Sequence, residues 1–138
     1  MTVKQISVFL ENTSGRLADV TTLLGNAGVN LRAITIADTA DFGILRLIVD
    51  DNEKALNALK EAGFTAKVTQ VFAIEIEDKP GGLAAIMQIL EENGLNIEYL
   101  YATLERNKEK AVVIFRVEDI EGATKVIEQR NLKTLEGF

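Results

Sequence analysis

Residues able to catalyse a reaction are scarce in this chain of 138 residues, which contains neither histidine nor cysteine. The commonest general base and metal ligand is therefore missing, as are thiolate nucleophiles, thiolate metal sites and disulfides. Carboxylates do occur in pairs, at Asp50/Asp51, Glu91/Glu92 and Glu118/Asp119. Helix capping and solvation account for such pairs at helix ends and on exposed helix faces. We therefore expect no enzymatic activity, no catalytic residue, no metal and no cofactor.

The stretch best suited to hold a small molecule is Glu77–Leu83, which a strand-like run precedes and a helix-like run follows. Pro80 and Gly81 side by side break the strand. Asp78 is placed to accept hydrogen bonds from the amides of the first helical turn, which also tolerates Pro80. Gly81 and Gly82 let a ligand approach the backbone. Because a helix N-terminus favours negative charge, the stretch suits a carboxylate.

The same arrangement occurs twice. Asn12–Leu17 stands 66 residues before its counterpart, and Gly28–Leu31 matches Gly94–Ile97 at the same offset. Later the offset becomes 68, and the two-residue difference falls between two strands, where changes of length are tolerated. A repeated unit of this size predicts a tandem pair of small domains, 1–70 and 71–138.

Each copy reads strand, helix, strand, strand, helix, strand. This order predicts an α+β fold of two ferredoxin-like βαββαβ units with antiparallel sheets and the helices on one face. We expect Gly28 to cap the first helix, turns at Asp38–Asp41 and Arg106–Lys110, and a short last strand at Leu132–Leu135. No glycine-rich or serine-rich linker separates the copies.

Charge and hydropathy limit the partners. The net charge of −6 argues against a nucleic-acid surface. No apolar run reaches the roughly 18 residues that a membrane span needs, and the N-terminus does not read as a secretory signal, so we expect a cytoplasmic protein without a membrane partner. The edge strands of ferredoxin-like sheets favour pairing, which predicts a homodimer.

The repeated pattern D-x-P-G-x-L followed by G-[LV]-N-I resembles the ACT domain, and the resemblance covers both copies. It implies modules that bind amino acids and regulate metabolic enzymes. ACT domains often pair side by side, with the ligand between the first loop of one domain and the second strand of its partner. The residues thus implied are Asp78, Lys79, Pro80, Gly81, Gly82, Leu83, Asn96 and Ile97 in the second copy, and Asn12, Thr13, Ser14, Gly15, Arg16, Leu17, Asn30 and Leu31 in the first.

The first copy departs from the pattern, since Asn12 replaces the acid and Ser14 the proline. In compensation, Arg16 is suited to pair with a ligand carboxylate. We expect the Gly81 loop to face Asn30, and the Gly15 loop to face Asn96. The alternative is structural: the glycines only permit tight turns, and the asparagines only satisfy backbone groups at strand ends.

The resemblance implies a regulator that binds a small amino acid and acts allosterically on a separate enzyme or pathway of amino-acid metabolism. One alternative is a docking subunit that binds no ligand, such as the small subunit of acetolactate synthase. RNA-recognition modules share this topology, but they need exposed aromatic residues in basic surroundings. Here Phe9, Phe42 and Phe115 are scattered and the chain is acidic.

Overall fold

The structure is a computed structural model that describes residues 1–38, 42–104 and 109–136. Six strands and four helices lie within this part of the chain. In order they are β1 (Val3–Glu11), α1 (Arg16–Asn26), β2 (Leu31–Asp38), β3 (Phe42–Val49), α2 (Asn52–Glu61), β4 (Thr65–Glu77), α3 (Gly82–Glu92), β5 (Ile97–Leu104), β6 (Lys110–Val117) and α4 (Ile120–Gln129).

Contacts within the chain divide it into two units, Lys4–Thr69 and Gln70–Phe138 together with Met1–Val3. The strand order is β2-β3-β1 in the first unit and β4-β6-β5 in the second, and each of these pairings is antiparallel. Strand β4 contributes residues to both units. The predicted α+β class with two ferredoxin-like units is confirmed.

The core of the first unit lies between one face of its sheet and helices α1 and α2. Alternate residues of β1 point into it, as the period of two in the sequence predicts. Buried members from the strands and both helices are Ile6, Val8, Leu10, Val20, Leu24, Leu45, Leu47, Ala55 and Leu59. Both helices therefore cover the same face of the sheet.

Two polar residues of β1 are also buried, although they point to the face of the strand opposite the core residues. Gln5 and Ser7 lie between the core positions, and the Gln5 side-chain amide donates to Ser7 Oγ at 3.3 Å. Since a buried polar group needs a partner, this bond accounts for polar side chains at buried positions.

The second core repeats this plan with aromatic residues. Phe72 on β4 and Phe115 on β6 are cross-strand partners, and their rings stack with centroids 5.6 Å apart. The matching pair in the first unit is Ile6 and Leu47. The same site in the two sheets is thus filled by different side chains.

Helix α1 ends as its glycine predicts. Gly28 has a φ of 77°, its amide donates to Gly25 O, and the Val29 amide donates to Leu24 O. This pair of hydrogen bonds closes the last turn in a Schellman motif. The chain is thereby turned from α1 toward the start of β2.

The predicted last strand and the two predicted turns differ from the other predicted elements in outcome. The last strand, predicted at Leu132–Leu135, amounts to a single bridge between Thr134 and Ile74, with a backbone hydrogen bond on either side. Residues 39–41 and 105–108, which hold most of both predicted turns, lie outside the described residues.

Candidate functional site

The first corner connects β1 to α1. Its N-cap residue Gly15 adopts a φ of 90°, a left-handed conformation that glycine reaches without strain. The Arg16 amide donates to Thr13 O at 3.4 Å, and the Asp19 amide donates to Gly15 O at 2.9 Å. No described side chain caps α1.

The second corner connects β4 to α3 through the same turn. Gly81 has a φ of 85°, the Gly82 amide donates to Lys79 O at 3.0 Å, and the Ala85 amide donates to Gly81 O at 3.1 Å. Again no side chain in the described chain caps the helix. The two corners therefore share one backbone design.

The predicted cap at Asp78 is wrong. The N-cap is Gly81, three residues later, and Pro80 precedes the helix instead of lying in its first turn. Asp78 is held by its backbone amide, which donates to Glu109 O at 3.0 Å. Because Gly81 takes the capping position, the exposed Asp78 carboxylate does not accept a hydrogen bond from the amides at the start of α3.

Helices α2 and α4 begin differently. Asp51 accepts a hydrogen bond from the Lys54 amide at 3.0 Å, and Asp119 accepts one from the Gly122 amide at 2.9 Å. These are ordinary aspartate caps. Of the four described helices, α1 and α3, which follow the repeated glycine loops, start without a capping side chain. Backbone amides at such a helix start favour an anion.

Gly82 lies close to the backbone at the end of β4. A Cβ at this position would lie 2.2 Å from the carbonyl oxygen of Glu77. The Glu77 side chain accepts a hydrogen bond from the Lys110 ammonium across the sheet. This hydrogen bond, together with the positive charge of Lys110, lowers the pKa of the Glu77 carboxyl below its ordinary value of 4.5.

Arg16 occupies the position of Gly82 in the first corner, and it is engaged by its own unit. The guanidinium carbon lies 4.6 Å from the centroid of the Phe64 ring, and a terminal nitrogen pairs with Asp19 at 3.3 Å. Its Nε atom is buried with no hydrogen-bond partner among the described residues. Phe64 is a member of this corner that sequence reasoning missed, because it lies 48 positions further along the chain.

The other predicted loop residues are exposed on the surface of their corners. They are Asn12, Ser14 and Leu17 in the first unit, and Lys79 and Leu83 in the second. Leu17 and Leu83 occupy equivalent places in the first turns of α1 and α3. Each corner thus presents one apolar side chain beside the open amides.

The predicted strand starts lie far from the loop of their own unit. In the first unit, Glu11 pairs with Phe42 and Leu31 with Val49, at opposite ends of β3. Seven residue steps along a strand span about 24 Å. Pairing in the second unit, where Ile97 stands opposite Val117, has the same consequence. Within a unit, no single small ligand reaches both the loop and the asparagine.

Asn30 and Asn96 each precede their strand and are exposed. The Asn30 amide donates to Asp50 Oδ1 at 3.0 Å, and the Asp50 amide donates to Asn30 O at 3.1 Å. Asn96 lines a small cavity of about 160 Å³ with Gly94, Leu95, Val117, Glu118 and Asp119. Both of these hydrogen bonds use main-chain atoms of Asn30, so they favour neither a ligand role nor a structural role for its side chain.

Within the described chain, no three acidic side chains come together in a way that would hold a metal ion. None of the helices in this part of the chain combines the length and the apolar character that crossing a membrane requires.

The sequence matches the family described as the ACT domain pair over residues 1–137. The chain belongs to the ACT domain pair family. Protein BT0572 from Bacteroides thetaiotaomicron is 41% identical to this ACT domain pair, and its crystal structure superposes with a TM-score of 0.91, covering 98% of this chain and 92% of that one.

Two more distant structures share the fold of this ACT domain pair. The regulatory subunit of aspartate kinase from Thermus thermophilus is 21% identical, with a TM-score of 0.63 and 91% of each chain covered. Its counterpart from Thermus flavus is 22% identical, with the same TM-score and 91% and 90% covered. No curated protein matches the sequence.

Proposed function

We propose that this ACT domain pair binds a small amino acid at the corner between β4 and α3, and that this binding regulates a separate enzyme of amino-acid metabolism. The observation that carries the proposal is the uncapped start of α3. Gly81 replaces a capping side chain there, while α2 and α4 both have aspartate caps. The Gly82 amide donates to Lys79 O, and the next two amides of α3, those of Leu83 and Ala84, are available to a ligand carboxylate.

An amino acid has a carboxylate and an ammonium group attached to the same carbon, so its site must offer a positive group for the first and a negative group for the second. The amides at the start of α3 supply the positive end. Asp78, exposed in the same loop, supplies a negative group for the ammonium. Leu83 adds an apolar surface for the ligand side chain. Neither charge of the ligand requires a catalytic residue.

The second corner is the better site of the two. Gly82 has no side chain, so the mouth of this corner stays open, and the sequence before it retains the acid and the proline of the repeated pattern. In the first corner, Arg16 lies over Phe64 and pairs with Asp19. A ligand there would have to share a guanidinium that is already engaged. We assign the first corner, with Asn12, Ser14, Gly15, Arg16 and Leu17, a weaker affinity.

The proposal also includes the residues at the start of the second strand of each copy, which are proposed to contact a ligand bound at the loop of the other copy. They are Asn30 and Leu31 in the first copy, and Asn96 and Ile97 in the second. Asn30→Ala is expected to weaken binding at the Gly81 corner. If Asn96→Ala weakens binding instead, that corner is completed by its counterpart in a second chain.

The regulatory part of the proposal draws on the aspartate kinase regulatory subunits, which have the same fold. A protein of this architecture is expected to respond to a ligand by a shift between conformations that differ in affinity for it.

The test is a thermal-unfolding panel against the twenty amino acids at millimolar concentration. A ligand at about 100 times its dissociation constant adds about 2.7 kcal/mol of stability, which raises the melting temperature by several degrees. The amide of each responding amino acid serves as the control, because it lacks the carboxylate and should lose the shift. A flat panel from folded protein would overturn ligand binding and favour a docking subunit without a ligand.

A further inference from the structure

A short segment after α4 lies along the edge of β4 that faces away from β6. At the repeat offset of 68, residues 132–136 are the counterpart of residues 64–68, of which 65–68 belong to strand β4. Among the described residues this segment makes one bridge, between Thr134 and Ile74. We call Leu132–Glu136 the strap. Where the first copy has a strand, the second copy therefore has a segment with a single point of pairing.

Two backbone hydrogen bonds hold the strap, one on each side of this bridge. The Glu75 amide donates to Lys133 O, and the Leu135 amide donates to Ala73 O, both at 2.9 Å. In a complete antiparallel ladder each of these residue pairs would exchange two hydrogen bonds. The return bonds, from the Lys133 amide and from the Ala73 amide, are absent from the described chain. The strap thus uses half of the pairing capacity of this part of the edge.

The side-chain contact between the strap and β4 is more specific. The Glu75 side chain is only 9% exposed, and its Oε1 atom lies 3.2 Å from the ammonium of Lys133, whose side chain is 64% exposed. Within the described residues this is the one hydrogen bond of the Glu75 carboxylate. A covered carboxylate without a partner is costly. Any segment that covers this edge must therefore bring a cation to Glu75.

The two ends of the strap are anchored differently. At the first end, the Leu132 amide donates to Ile127 O at 3.1 Å, and the Leu132 side chain packs against the core of the second unit. At the other end, Glu136 pairs with the Met1 ammonium at 3.3 Å, and the Glu136 side chain is 78% exposed. An exposed ion pair of this kind contributes little stability. The strap can therefore leave the edge from its Glu136 end while Leu132 stays in place.

We propose that the strap is an autoinhibitory segment, and that an extended segment of a partner protein displaces it and pairs with β4 as an added strand. The strap indicates what such a segment must provide. It needs a lysine or arginine opposite Glu75, and an apolar residue two positions later, where Leu135 stands opposite Ala73. Backbone hydrogen bonds supply the affinity of an added strand, and the side chains supply its selectivity. This proposal does not depend on the amino-acid site.

Hydrogen exchange of the full chain tests whether the strap opens. The amides of Glu75 and Leu135 donate the two bonds of the strap, whereas the alternate residues Ile74 and Ile76 direct their amides to β6. If the strap opens while the sheet stays intact, the first two amides should exchange at least about tenfold faster than the second two. Equal exchange rates would overturn a displaceable strap.

A disulfide can lock the strap, because the chain has no cysteine of its own. Ala73 and Leu135 are a hydrogen-bonded pair, and the Cα atoms of such pairs lie about 5.5 Å apart, which a disulfide can bridge. The probe is a synthetic peptide with the sequence of residues 130–136. The reduced form of Ala73→Cys/Leu135→Cys should bind this peptide, and the oxidised form should not. Equal binding by the two forms would overturn the proposal.

Charge reversal tests the role of Glu75. Lys133→Glu places two carboxylates together, which should release the strap and raise the affinity for the peptide about tenfold over the parent. Lys125→Glu is the matched control, because it makes the same charge change at an exposed lysine of α4 and should leave the affinity at the parent level.

A second peptide, in which glutamate replaces the lysine, should lose its binding to every form of the protein because it brings no cation to Glu75. Equal binding of the two peptides, no gain of affinity in Lys133→Glu, or the same gain in Lys125→Glu would each overturn the proposal.

Discussion

The two β–α corners have nearly the same backbone but different side chains. Both N-cap glycines are left-handed, at φ values of 90° and 85°, and both helices start without a side-chain cap. In the first corner Arg16 extends from the helix start to the Phe64 ring, whereas in the second the same position is Gly82. The duplication has preserved the turn, and the residue after the glycine determines whether a corner is occupied by a guanidinium or open.

The largest effect on this comparison is expected from Gly82→Ala. The added Cβ would lie 2.2 Å from the Glu77 carbonyl oxygen, so the turn must move, which costs about 1–3 kcal/mol. Urea unfolding measures the loss. Gly25→Ala is the matched control, because Gly25 lies within α1 with open space around it and gains about 0.5–1 kcal/mol in the same experiment. A Gly82→Ala protein as stable as the parent would show that the second corner is not constrained by this contact.

The next largest effect is a difference in ligand affinity between variants of the two corner glycines. Gly81→Ala and Gly15→Ala each place alanine in a left-handed conformation with no protein atom within 4 Å, and each should cost roughly 1–2 kcal/mol of stability. Titration calorimetry with the amino acid found in the thermal panel should show at least about a tenfold loss of affinity for Gly81→Ala. An equal loss in both variants would contradict the assignment of the stronger site to the second corner.

A smaller effect is expected in the first corner, where Arg16 lies over Phe64. A double-mutant cycle of Arg16→Ala and Phe64→Ala should give a coupling free energy of about 0.5–2 kcal/mol, the range for a cation–π contact that is half-buried. Asp19→Ala should change stability by less than about 1 kcal/mol, because its ion pair is exposed. Additive effects of the two substitutions would mean that the ring does not hold the guanidinium.

The smallest effect concerns pH. The folded pKa of Glu77 is lowered by Lys110, so the pair contributes stability above pH 4.5 and loses it as the pH falls through the lower folded pKa. Lys110→Met should therefore be less stable than the parent at pH 7, and the difference should shrink as the pH falls below 4.5 and disappear below the lowered folded pKa of Glu77. Lys67→Met, which removes an exposed lysine from β4, provides the control. A difference that is constant with pH would exclude this origin.

The sequence was sufficient to predict the duplication, the strand and helix order, and the glycine loops, because each depends on local pattern and on residues with restricted or unusual backbone freedom. It misplaced the cap of α3, since Asp78 precedes a proline and two glycines and any of several positions in such a loop can start the helix. In this loop the N-cap is the residue that adopts the left-handed conformation, and the loop sequence alone does not tell which of its two glycines that is.

The sequence pattern did not predict contacts between residues that are far apart in the chain. Nothing local to Arg16 identifies Phe64 as its neighbour, and the hydrogen bond between Glu77 and Lys110 depends on the register of β4 against β6. The reduction of the last strand to one bridge at Thr134 also depends on tertiary contacts. The ligand residues remain a proposal, because open amides at a helix start favour an anion without specifying which one.

Strand β4 also determines which changes of length the gene tolerates. In its second half, the even-numbered residues Phe72, Ile74 and Ile76 pack in the core of the second unit. An insertion or deletion of one residue among them would shift this alternation and turn some of these three side chains outward. A change of two residues would preserve it, so natural or engineered variation in this part of β4 is expected to occur in steps of two.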